Sequence, residues 1–267
     1  MLRGFDIKNN LNKGTAVFDT HLHDQFEINF ILSDGIEVLI EDKLFLSQKG
    51  DIFIFPPYTF HRIDSGNKPF SRYLMFFDEA STLAACSALQ PAIAALKNSN
   101  FLASVPDDAG IKELLKLFEV AHKEKTAVHP LSDYKTVTAI GNVLSFIIPL
   151  LKRDDSPRHS PETEHEILRV LNHINHHLGE DLSVEAIAKH FGMSSTTLWH
   201  MMKNSIRLSP KEYIVKMRIA KATELLANGA SVTETAEKAG FNSYAHFIRT
   251  FTKHIGISPY RYGKNSI

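Results

Sequence analysis

The chain has 267 residues, enough for one large domain or two of ordinary size. With 43% apolar residues and 18 phenylalanines it can bury a core without metal or disulfide support, and a single cysteine excludes a disulfide framework. The formal net charge is zero, yet residues 1–163 hold 17 Lys/Arg against 21 Asp/Glu while residues 164–267 hold 13 against 9, so the back half suits a polyanionic partner.

The opening MLRGFDIKNN lacks the apolar stretch of a signal peptide, and no run approaches the ~18 apolar residues of a membrane span. A cytoplasmic chain without a membrane segment is therefore expected. Residues 16–77 read as strands: the runs 26–32, 36–40, 43–47 and 51–55 are short, β-branched and aromatic, with turns at Asp34-Gly35, Glu41-Asp42 and Gln48-Lys49-Gly50 between them. Strands at this spacing predict a small barrel or sandwich. Over 81–151 the period becomes helical, with one stripe of Ile111, Leu114, Leu115, Phe118 and Ala121 and another of Tyr134, Val137, Ile140, Val143, Leu144, Ile147 and Leu151. Two such helices either cap the barrel or form a dimer seam. Cys86 reads as a small buried hydrophobe, with no cation nearby to favour a thiolate. Residues 152–163, polar throughout with Pro157 and Pro161, have the composition of a linker.

Beyond the linker the chain repeats itself. Ser183-Val184, Ala188 and Gly192 return 48 residues later as Ser231-Val232, Ala236 and Gly240; Leu198, Met202 and Ser209-Pro210 return 49 residues later as Phe247, Phe251 and Ser258-Pro259. Each copy reads as a helix, a tight turn at glycine and a second helix capped by Ser194 or Ser243. The second helix of the first copy buries Leu198, Met201 and Met202 and shows Thr196, Trp199, His200 and Lys203; that of the second buries Phe247, Ile248 and Phe251 and shows Tyr244, Ala245, His246, Arg249 and Lys253. Two short helices about a glycine turn, the second displaying donors and aromatics, predict a helix-turn-helix that enters the major groove of DNA. Residues 210–227 form one long helical run between the copies, a strut able to hold two such helices near successive major grooves.

The run 166–262 resembles the DNA-binding domain of the AraC/XylS family of transcription regulators. The likeness is carried by Leu182-Ser-Val, Ala188, Phe191-Gly-Met-Ser-Ser, Leu198, Tyr213, Arg218, Ala222 and Leu225-Leu226, then by Ser231-Val-Thr, Ala236, Ala239-Gly-Phe-Asn-Ser, Phe247, Phe251 and Gly256-Ile-Ser-Pro259. It departs where Arg207 replaces the usual Gly, Met202 a Phe, Thr235 an aliphatic residue and Gly263 a terminal Arg. The resemblance implies base-reading roles for Thr196, Trp199, His200, Tyr244, Ala245, His246 and Arg249. Arg249 is the strongest chemically, since guanidinium pairs bidentately with guanine. Lys203, Lys211, Arg218 and Lys253 read as phosphate contacts, with Arg218 also placed to tie the strut to the first unit.

In the front half, His21-Leu-His23 with Glu27, then Gly50-Asp-Ile-Phe-Ile-Phe-Pro56 and His61, is similar to the two cupin motifs. Read as a sensor, His21, His23, Glu27, Asn29 and His61 are the effector-binding candidates, without a metal or other cofactor and without catalytic residues. The whole is then an α+β chain in two domains. A cupin-like β-barrel with flanking helices (1–151) is followed by a linker (152–163) and an all-α domain (164–265). The last holds helix-turn-helix units at about 184–205 and 232–255 joined by a long helix. The resemblance implies an activator whose partners are double-stranded promoter or operator DNA, a small-molecule effector, a second copy in a homodimer and RNA polymerase. The alternatives are a cupin metalloenzyme with a DNA-binding tail and a regulator that needs no effector.

Overall fold

A computed structural model describes residues 5–13, 23, 25–66, 68–99, 101–126, 131–151, 166–180 and 182–266. His21 and the linker at 152–163 lie outside the described residues.

Among the described residues the front half has eight antiparallel strands: β1 (Asp6–Lys13), β2 (Phe26–Ile31), β3 (Glu37–Ile40), β4 (Lys43–Leu46), β5 (Asp51–Phe55), β6 (His61–Asp64), β7 (Phe70–Phe77) and β8 (Leu102–Ser104). Five form one sheet in the order β1-β7-β2-β5-β8, and three form a second in the order β4-β3-β6. The second sheet covers one face of the first through Val38, Ile40, Phe45, Ile63, Phe53, Phe55 and Phe70. Helices α1 (Glu79–Ala85), α2 (Gln90–Lys97), α3 (Asp108–Thr126) and α4 (Ser132–Ile147) follow. They supply the cover for the other face, where Phe26, Ile28, Phe30, Tyr73, Met75 and Phe77 meet Leu114, Phe118, Ile140 and Leu144. This explains why β2 and β5 are buried at every position rather than alternately: both faces are covered.

The apolar stripe of α4 is spent inside the chain. Val137, Ile140, Val143, Leu144 and Ile147 are buried among the α3 and sheet residues, so this helix caps the front half, while Tyr134 at its start is exposed. Cys86 is half-buried at the end of α1 rather than buried as expected, because the chain there leaves the helix in an extended conformation.

The back half is helical: α5 (Glu166–His176), α6 (Val184–His190), α7 (Ser195–Ile206), α8 (Pro210–Ala227), α9 (Val232–Lys238), α10 (Tyr244–Ile255) and α11 (Pro259–Ser266). The strut α8 runs 18 residues, roughly 27 Å at 1.5 Å per residue. It starts at a capping box, in which Ser209 Oγ accepts from the Glu212 amide and Glu212 accepts from the Ser209 amide. Two cores flank it. The first collects Leu171, Ile174, Ile187, Leu198, Met202 and Tyr213; the second collects Ala222, Leu226, Ala236, Phe241, Phe247 and Phe251. Leu39 and Phe60 of the front half are buried in the first core, with the Phe60 ring edge-on to Tyr213 at 4.8 Å.

Candidate nucleic-acid interface

Local chemistry fixes α7 and α10 in the same way. Gly192 and Gly240 turn the chain with φ of +66° and +84°, a region in which a Cβ is penalised. Ser194 Oγ then accepts from the Thr197 amide at 3.0 Å and Ser243 Oγ from the His246 amide at 3.3 Å, so both helices begin on a serine cap. Leu198 and Met202 bury one face of α7, and Phe247 and Phe251 bury one face of α10. Thr196, Trp199 and His200 on α7, and Tyr244, Ala245, His246 and Arg249 on α10, are all exposed. Trp199, the only tryptophan, stays 44% accessible with His200 edge-on at 5.1 Å, so it is displayed rather than packed under a neighbouring helix.

The cations around these helices differ in what already holds them. Lys211 and Lys253 are exposed. Lys203 is half-buried and pairs with Glu212 at 2.9 Å, and its ammonium lies 5.9 Å from the centre of the Trp199 ring. Arg218 donates from Nε to Leu178 O at 3.1 Å and from Nη2 to Glu180 O at 2.8 Å. Its guanidinium therefore ties the strut to the chain beyond α5, the second of its two expected roles. A Cβ on Gly240 would overlap Leu178 O and crowd Arg218 Nε, so the turn of the second unit sits directly against this tie.

In the front half His23, Glu27, Asn29 and His61 come together between the two sheets. Glu27 Oε2 lies 2.8 Å from His23 Nε2 and 3.2 Å from His61 Nε2, and Glu27 Oε1 accepts from Asn29 Nδ2 at 2.8 Å. The two ring Nδ1 atoms lie 2.9 Å from Gln25 O and Thr59 O, which can only accept, so each Nδ1 carries a proton. Arg72, which carries no sequence signal, completes the group by donating to Asn29 Oδ1 at 2.6 Å, with its Nη1 3.9 Å from Glu27. Burial alone would raise the Glu27 pKa, but hydrogen bonds and charge from His23 and His61 hold it well below the usual carboxylate value. Burial pulls Arg72 down to about 10, against the opposing pull of Glu27. The ligand atoms of His23, Glu27 and His61 lie within 4.8 Å of one another, close enough for a metal by distance. The set nevertheless fits one poorly, since a guanidinium already supplies positive charge and each carboxylate oxygen already has a partner.

Glu27, Asn29 and His61 are at most 2% accessible, and of the described candidates only His23 reaches the surface, its side chain 18% accessible. No helix among the described residues is long and apolar enough to cross a membrane.

A family model described as a helix-turn-helix domain matches residues 187–265. The HTH-type transcriptional activator RhaS of Salmonella arizonae is 29% identical over 124 residues, which are 45% of this chain and 45% of that protein, so the chain spans about half the length of this relative. The C-terminal domain of AraT, a response regulator from Geobacillus stearothermophilus, is 28% identical over 39% of this chain and 87% of that one, with a TM-score of 0.37. An apo form of ToxT from Vibrio cholerae covers 98% of both chains at 14% identity with a TM-score of 0.38.

Proposed function

The C-terminal half is a helix-turn-helix DNA-binding domain of the AraC/XylS type, and from that premise we propose that the chain is a sequence-specific transcription regulator that lays α7 and α10 into neighbouring major grooves. The observation that carries this reading is the paired construction of α7 and α10. Each has a buried apolar face, a serine cap and an exposed row of side chains suited to base edges. Arg249 reads a base pair, and Trp199 offers apolar surface to thymine methyls and sugars. Lys211 and Lys253 meet phosphates; Lys203 does so on exchanging Glu212 for a phosphate. Arg218 keeps its place as an internal tie.

In this reading residues 164–265 bind DNA, residues 1–151 sense and pair, and residues 152–163 connect them. The regulator is an activator, as the RhaS relative is named, and works as a homodimer with RNA polymerase. Its small-molecule effector reaches the buried Glu27–Asn29–Arg72 network through His23, where the side chain is open.

The test is selection of a binding site from randomised DNA, followed by affinity measurements on variants. Arg249→Ala is expected to cost about 1–3 kcal/mol and to relax preference at one base pair. Lys253→Ala is expected to weaken all sequences alike and to lower the salt slope by about 1. Uniform loss in both variants contradicts the division into base and phosphate contacts.

A further inference from the structure

The turn between β5 and β6, residues 56–60, lies between the buried Glu27 group and both helix-turn-helix units. On the front-half side the Tyr58 amide donates to His23 O at 2.7 Å, and Thr59 O accepts from His61 Nδ1 at 2.9 Å. These are the two histidines whose Nε2 atoms face Glu27 Oε2. The His23 ring is pinned at both nitrogens, by Glu27 Oε2 at 2.8 Å and by Gln25 O at 2.9 Å, so the ring helps to fix where the His23 carbonyl stands. On the other side the turn puts one aromatic ring on each unit. Phe60 meets Tyr213 of α8, whose hydroxyl donates to Asn175 Oδ1 of α5 at 3.0 Å. Tyr58 meets Tyr262 of α11 with ring centres 6.0 Å apart, and Tyr262 meets Phe251 of α10 at 5.7 Å.

The two rings are held unequally. Phe60 is fully buried, and its carbonyl accepts from the Glu41 amide at 2.8 Å. Tyr58 is half-buried and left-handed at φ +63°, a conformation that crowds the Cβ of a bulky residue. Such a conformation persists only while its surroundings hold it, and the bond to His23 O is part of that hold. Pro56 and Pro57 come just before, and their rings fix φ, so a displacement of the turn is not absorbed there and falls on Tyr58.

We propose that Tyr58 is the switch through which the Glu27 group governs the second helix-turn-helix unit, while Phe60 keeps the front half seated on the first. This rests on the reading of that group as the effector site. A small molecule that takes His23 away from Glu27 frees the His23 carbonyl, ends its bond with the Tyr58 amide and lets Tyr58 relax to negative φ. The Tyr58 ring then leaves Tyr262, and the second unit turns on the strut independently of the front half. The effector shifts this balance only by as much as it favours the released arrangement.

Amide hydrogen exchange, resolved to single residues, tests this in the full-length chain without DNA. The variants are His23→Ala, Tyr58→Gly, Tyr58→Phe and the double change His23→Ala with Tyr58→Gly. Glycine takes the left-handed conformation without strain and removes the ring, whereas phenylalanine keeps both ring and strain. A thermal melt verifies that each variant is folded, and Tyr58→Gly carries the test if His23→Ala does not fold. His23→Ala is expected to speed exchange of the Tyr58 amide and of the α11 amides about tenfold. Tyr58→Gly should speed α11 alike, the double change should add nothing there, and Tyr58→Phe should match wild type. Affinity for the selected DNA site should shift about threefold in His23→Ala and in Tyr58→Gly but not in Tyr58→Phe. Exchange in α11 unmoved by Tyr58→Gly, additive effects in the double change, or DNA affinity indifferent to Tyr58→Gly overturns the proposal. Exchange is read without DNA, so a chain that selects no DNA site tells against the proposed function and leaves the link from His23 to α11 supported.

Discussion

The two helix-turn-helix units are built on one pattern, yet they are anchored differently. The first opens to the front half: Leu39 and Phe60 are buried in its core, and Phe60 meets Tyr213 at the start of the strut. The core of the second is assembled from α8 to α11 and the turn between α9 and α10, with no front-half residue among its described members. The turn glycines differ as well. Nothing lies within 4 Å of a Cβ built on Gly192, whereas one on Gly240 would strike Leu178 O. Each second helix ends in a left-handed residue, but this is Gly256 for α10 and Arg207 for α7, which stores strain in the first unit. Finally, Ser209 is followed by the capping acid Glu212, and the matching position after Ser258 is Arg261. One unit thus takes front-half residues into its core, whereas the other meets the front half at the Tyr58 and Tyr262 rings, 6.0 Å apart, and meets the first unit at Leu178. The repeat preserves the helices and lets their supports diverge.

The largest effect should come from removing the ring that joins the halves. Phe60→Ala is expected to cost about 3–5 kcal/mol, as for other buried aromatics. Hydrogen exchange should show amides of α5 and the start of α8 losing protection while those of α10 keep it. Equal loss in both units would erase the difference between them.

The turn glycines separate the units next. Gly240→Ala should lower unfolding free energy by about 3 kcal/mol, since backbone strain adds to a clash with backbone. Gly192→Ala, strained but unobstructed, should lose about 1 kcal/mol. Chemical denaturation of the two variants gives the ratio directly, and equal losses would show that the Leu178 contact carries no weight.

Smallest is an acid effect confined to the first unit. Hydrogen bonds from the Ser209 backbone and hydroxyl, and then from Lys203, hold Glu212 down to about 2. Its folded value lies below its unfolded one, so its contribution is complete above pH about 4.5 and fades as pH falls toward 2. Discounted for exposure, Glu212→Gln should cost about 0.5–1 kcal/mol at neutral pH and almost nothing near pH 2. A pH-independent difference between variant and wild type would remove the ionised carboxylate from the cap.

Much of this was legible in the sequence. Ser194 and Ser243 announce helix starts, Gly192 and Gly240 announce turns, and the 210–227 run matches the strut to the residue, because capping and helical period are local properties. Strands β2 to β5 show in their apolar runs. Strand β1 does not, since DIKNNLNK lies at a sheet edge where a polar face is tolerated. Three-residue β8 is too short to show a period, and it falls in a stretch that otherwise reads as helix. The candidate His23–Glu27–His61 group follows motif spacing, but Arg72 joins it across β7 and β2, diagonal to Asn29 and opposite Ile31, a pairing no local spacing records. The same is true of Phe60 and Tyr213, 153 residues apart in the chain.

Simultaneous engagement of DNA by both units is the core of the proposed function, and hydroxyl-radical footprinting of the full-length chain on its selected site tests it without intermediaries. Two protected stretches per bound chain are expected, centred about 10 base pairs apart on one face of the duplex. Trp199→Ala should weaken one stretch and Arg249→Ala the other. A single protected stretch that only Trp199→Ala or only Arg249→Ala abolishes would contradict it.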